Sequence, residues 1–91
     1  MTRMHKLPHP GEILREYLGD MTVTDVAIHL GVGRVTLQRI VTGAAEISSD
    51  MAYRLDSAFG TSPKLWAGIQ LQYDLHQAGK IKRPKIERII G

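Results

Sequence analysis

The chain has 91 residues, 43% hydrophobic and 23% charged, which fits one small globular domain and excludes a disordered chain or a second core. It has no cysteine, which excludes a disulfide framework and thiolate chemistry, and no apolar run approaches the ~18 residues that span a bilayer. The net charge of +3 sits in the last twelve residues, KIKRPKIERIIG, whose +4 leaves residues 1–79 at −1, so an anion-binding face in the body must rest on a few well-placed cations.

The first ten residues, MTRMHKLPHP, lack the apolar core of a secretory signal, so a cytoplasmic protein with no membrane partner is expected. Punctuation then divides the chain into short helices. HPGEILREYL places Pro10 early and Glu12 in a first turn, with Ile13, Leu14, Tyr17 and Leu18 at helical spacing and Gly19 as the stop. TVTDVAIHLG opens on Thr22-x-x-Asp25, a capping-box variant, with Val23, Val26, Ala27 and Leu30 on one face. GRVTLQRIVTG runs from Gly33 as N-cap to Gly43 as stop. ISSDMAYRLDSAFG has Ser48 as N-cap and Met51, Ala52, Leu55, Ala58 and Phe59 inward. TSPKLWAGIQLQYDLHQAG has Ser62 as N-cap and Pro63 at the first helical position. The expected fold is all-α, with helices at about 10–18, 23–30, 34–42, 49–59 and 63–78 in one domain of residues 1–79. Residues 80–91 form a basic tail in which IERII reads as a short strand or a helical turn after Pro84.

The fifth helix has two apolar faces at 100° per residue. Leu65, Trp66, Ile69 and Tyr73 share the face expected to dock on the domain. Ala67, Leu71, Leu75 and Ala78 share a second, spare face. Two occupants fit it: the tail folded back, or a second copy of the chain. A large apolar patch ordinarily marks an interface, so these four are the expected dimerisation residues of a homodimer.

Two short amphipathic helices joined through GVG are the pattern of a helix-turn-helix. Ala27 is small enough for a close crossing, Val32 plugs the corner, and Leu37, Ile40 and Val41 point inward. The outward set is then Arg34, Val35, Gln38 and Arg39, with Thr42 at the far end. In this motif the start of the second helix enters the DNA major groove. Arg can pair with guanine O6 and N7, Gln with adenine N6 and N7, and Val can touch a thymine methyl. Thr22 and Thr24 open the preceding helix, where a phosphate backbone would pass. A merely solvated helix face would carry the same residue types.

Residues 8–76 resemble the lambda-repressor-like (XRE) helix-turn-helix family and, more narrowly, the HigA-type antitoxins of HigB–HigA toxin–antitoxin modules. The narrower resemblance rests on HPGEIL, ISSDMAYRL and the pattern SPxxWxxxQxxYDL within GTSPKLWAGIQLQYDL. It implies a dimeric autorepressor that binds double-stranded operator DNA at its own promoter and neutralises a RelE-like mRNA endonuclease. It places the DNA role on Gly33, Arg34, Thr36, Gln38 and Arg39. Two departures stand out. Gly33 occupies an N-cap where such proteins often carry Ser or Thr, and Ala44-Ala45-Glu46 follows the glycine where a basic residue is common.

No other constellation carries chemistry. His5-x3-His9 has ligand-like spacing but no Cys or carboxylate partner, so no metal or other cofactor is expected. Ser48-Ser49-Asp50 is explained by capping. With no nucleophile–base pair and no phosphate loop, neither an enzyme nor a small-molecule substrate is expected. The expected function is a DNA-binding antitoxin and operon repressor. The alternatives are a free-standing XRE repressor without a toxin, or a protein-interaction module that has lost DNA binding.

Overall fold

The computed structural model describes residues 7–90. Five α-helices and no strand occur among the described residues: α1 (Pro10–Leu18), α2 (Val23–Leu30), α3 (Arg34–Val41), α4 (Ser49–Phe59) and α5 (Pro63–Gly79). Each start has a local cause. The hydroxyls of Thr22, Ser48 and Ser62 accept the amides of Asp25, Met51 and Leu65, each pairing a donor that the helix cannot satisfy itself. At Thr22 only half of the expected capping box forms, because the Asp25 side chain, a methylene shorter than Glu, returns no bond to the cap backbone. The reciprocal box forms instead at α1. There His9 Nδ1 accepts the Gly11 amide at 2.9 Å and Glu12 accepts the His9 amide at 3.1 Å.

The core gathers Leu14 and Leu18 of α1, Val26, Ala27 and Leu30 of α2, Leu37, Ile40 and Val41 of α3, Met51, Ala52 and Leu55 of α4, and Trp66 of α5, with Ile47 from the connecting loop. α1 crosses α3 so closely that a β-carbon on Gly11 would run into the Ile40 carbonyl oxygen. α1 thereby braces α3 from behind. Tyr17 stays partly exposed but stacks edge-on against Trp66 and Phe59, with ring centroids 5.0 and 5.9 Å apart.

Some features differ from the sequence expectations. α3 ends at Val41 rather than Thr42, whose hydroxyl donates to the carbonyls of Gln38 and Arg39 at 2.9 and 3.3 Å and closes the last turn. The inward arc of α5 is centred on Trp66, Gln70 and Tyr73, and Leu65 sits at its exposed edge. Gln70 is buried because its Oε1 accepts the Ile47 amide at 2.8 Å while its Nε2 donates to Asp74 at 2.9 Å. A polar group is thus satisfied inside the core and ties α5 to the α3–α4 loop. α5 continues to Gly79 because Arg83 reaches back and donates to the Ala78 carbonyl at 2.8 Å. Residues 81–90 form neither strand nor helical turn. The tail does not cover the spare face of α5: Leu71 and Leu75 remain 58% and 63% exposed.

Candidate nucleic-acid interface

The corner between α2 and α3 is built first from the backbone. Gly31 adopts φ 74°, ψ 32°, a left-handed conformation that favours glycine. Its amide donates to the Ile28 carbonyl, and the Val32 amide donates to that of Ala27. This pair of bonds is the Schellman arrangement, and it turns Val32 onto the core. A second device comes from α4. Arg54 Nη1 donates to the Leu30 carbonyl at 2.7 Å and reaches that of Gly31 at 3.3 Å, while its Nε pairs with Asp50 at 2.8 Å. A cationic fork on the free carbonyls at the end of α2 opposes their negative partial charge and fixes the exit direction of the chain.

The buried triad of Leu37, Ile40 and Val41 then sets the rotation of α3. Arg34, Val35, Thr36 and Arg39 are exposed, and Gln38 is half-buried. Val35, at 65% exposure, is an apolar group left in water beside three polar ones. Gly33 makes no side-chain cap bond, so the first amides of α3 face outward with the positive end of the helix dipole. Thr22 and Thr24 are exposed at the start of α2. The Arg34 Nε donates to Thr24 Oγ1 at 3.1 Å, which joins the two helix starts.

Not every residue of the expected set is equally available. Arg39 Nη2 donates to the Ala44 carbonyl at 3.2 Å, and the Thr42 hydroxyl proton is used inside its own helix. The Gln38 side-chain amide makes no hydrogen bond among the described residues. The Arg39–Ala44 contact lies where a following basic side chain was expected and missing. The Ala67, Leu71, Leu75 and Ala78 stripe lies on α5, with Ala78 half-buried and the other three exposed. Of the two histidines considered for a metal, His5 lies outside the described residues. His9 is a helix cap whose ring packs edge-on against Tyr73, with centroids 4.9 Å apart.

Three contributors had little signal in the sequence. Arg54 acts on carbonyls 23 and 24 residues away, and no local pattern marks that. His9 is outside the usual capping residues, although the Glu12 three positions on was a clue. Gln70 lies about 40° from Trp66 on the wheel, within the docked arc, but its polarity argues against an inward place.

Comparison with known proteins agrees with this geometry. Residues 12–67 match the model of a helix-turn-helix domain family. The chain is 38% identical over 81 residues to virulence-associated protein A' of Dichelobacter nodosus, covering 86% of this chain and 70% of that protein. An addiction module antidote protein of the HigA family from Coxiella burnetii superposes with a TM-score of 0.81 at 39% identity, over 84% of this chain and 86% of the other. The Pseudomonas aeruginosa antitoxin HigA, solved with the higBA promoter, gives a TM-score of 0.78 at 41% identity, over 80% and 83%. With its five helices, pinned corner and outward α3 face, the chain belongs to the helix-turn-helix domain family and, within it, to the group of HigA-type antidote proteins.

Proposed function

We propose that this protein is a DNA-binding antitoxin that represses its own operon as a dimer and neutralises a RelE-like mRNA endonuclease. The observation that carries the DNA half is α3 itself. Its three apolar residues are sunk in the core, its corner is held by Gly31 and Arg54, and its start is a bare helix N-terminus beside Arg34. Such a helix can enter a major groove as a rigid unit, with Arg34, Val35 and Gln38 toward base edges and Thr22, Thr24 and the free amides of Thr36 and its neighbours toward phosphates. The related Pseudomonas aeruginosa HigA was solved with promoter DNA, which supports the same ligand class here.

The dimer half rests on α5. Ala67, Leu71 and Leu75 leave an apolar stripe in water that the tail does not cover. Pairing two copies along it would set two α3 helices against half-sites about 34 Å apart, or a multiple of that, in a palindromic operator. Toxin neutralisation rests on kinship with HigA-type antidotes and on no feature of this surface.

One experiment tests both halves. The chain is co-expressed with whatever reading frame adjoins its gene, which this reading requires to be small and basic, and the purified product is titrated against the duplex upstream of that gene at several salt concentrations. The reading requires a stable complex with the neighbour's product, and DNA affinity that falls steeply with salt. Absence of the complex at micromolar concentration contradicts the antitoxin role. Salt-insensitive or undetectable DNA binding contradicts the repressor role.

A further inference from the structure

We infer that Thr24 is a positioning residue that couples a phosphate contact to base reading by Arg34, by fixing which edge of the guanidinium is free to read. The inference rests on the reading of α3 as a DNA-recognition helix and says how one of its residues is set.

Two structural features lead to it. The first is the bond from Arg34 Nε to Thr24 Oγ1, 3.1 Å long, made between two exposed side chains ten residues apart on different helices. A guanidinium carries five N–H groups, one on Nε and two on each Nη. It can meet a base edge side-on through Nε and Nη2, or end-on through Nη1 and Nη2. With Nε held by Thr24 the side-on pair is closed. The end-on fork remains, and it matches the O6 and N7 acceptors of guanine.

The second observation concerns the hydroxyl proton of Thr24. Capping of α2 is already done by Thr22, whose oxygen accepts the Asp25 amide. Among the described residues the Thr24 hydroxyl accepts from Arg34 and donates to nothing. It stands in the first turn of α2, the place where the backbone of a bound duplex passes in a helix-turn-helix complex. A phosphate oxygen there takes that proton. Accepting from Arg34 and donating to phosphate polarise the hydroxyl in the same sense, so each bond strengthens the other. Register on the backbone and orientation of the reading fork are then set by one atom. Gln38, whose side-chain amide makes no bond among the described residues, lacks such a link.

The test uses a duplex pool with a randomised centre, selected on the full chain, followed by titration of the best duplex and its single-base-pair variants. Arg34→Ala, Thr24→Val, Thr24→Ser and the double variant are compared with the parent, after their unfolding curves are shown to coincide with it. Arg34→Ala should flatten the preference at one base-pair step in each half-site. Thr24→Val should lower discrimination at that same step by roughly five- to tenfold and leave other steps alone. Thr24→Ser should restore it, and the double variant, although it also loses the phosphate contact, should discriminate at that step no worse than Arg34→Ala. The inference is overturned if Thr24→Val weakens all duplexes equally with that preference intact, or if the two substitutions add in their effect on that preference. It is also overturned if Arg34→Ala loses one unit of salt dependence and no base preference, since Arg34 would then grip phosphate only. Failure of the pool to enrich any duplex would instead remove the DNA-binding reading beneath it.

Discussion

At the scale of single residues, the site depends on a few side chains that hold backbone rather than on those that face outward. Arg54 and Asp50 illustrate the difference. Their ion pair spans one helical turn and the Asp50 side chain is 75% exposed, so the pair contributes little. The bond from Arg54 to the Leu30 carbonyl is partly buried and charge-assisted. Arg54→Ala should therefore lower unfolding free energy by about 1.5–3 kcal/mol, and Asp50→Ala by about 0.2–1 kcal/mol, as read by denaturant titration. Equal effects would show that the ion pair, not the carbonyl contact, stabilises the corner. Gln70 allows a second test. Gln70→Leu keeps the volume but leaves the buried Ile47 amide without its acceptor, so a loss of about 1–3 kcal/mol is expected in the same measurement. No loss would mean that the loop relaxes to hydrate the amide. These residues were illegible in the sequence because their partners lie 24 and 23 residues away. The capping hydroxyls, whose partners lie three residues away, could be read directly.

At the scale of helices, periodicity located every element, and its errors fell where a particular side-chain bond decided the outcome. α3 stops at Val41, where the Thr42 hydroxyl donates to the carbonyls of Gln38 and Arg39. α5 runs on to Gly79 because Arg83 caps it from the tail. That bond also reassigns part of the tail's charge, since the Arg83 guanidinium serves the helix end. The two apolar faces of α5 were visible in the sequence, but which residue leads the docked face was not. A wheel ranks Leu65 above Gln70 on polarity, whereas the loop amide of Ile47 selects Gln70. The spare face yields the element's own prediction. Leu71→Glu with Leu75→Glu should convert a dimer to a monomer by sedimentation and weaken operator binding through lost bivalency, with the monomer fold intact because both side chains are already exposed. An unchanged mass would assign that face to another occupant.

For the whole molecule, charge and architecture point the same way. Residues 1–79 carry a net −1, so binding cannot come from a diffuse basic surface. The proposed reading places it instead on the geometry of a short helix with an uncapped N-terminus, two arginines and a neutral side chain, which a second copy would duplicate. The arrangement would let an eight-residue helix that opens on Gly33, rather than on Ser or Thr, serve as a reading head. In the proposed reading, the Thr24–Arg34 pair and a rigid corner take over the grip lost at the cap. The central claim is that the outward face of α3 reads DNA, and Gln38→Ala tests it most directly. This side chain makes no hydrogen bond among the described residues, so its loss leaves no partner unpaired in the fold. Titrated against the duplex upstream of the gene, Gln38→Ala should bind about 1–3 kcal/mol more weakly than the parent and lose its preference at one base pair. Affinity and preference equal to the parent's would contradict the account.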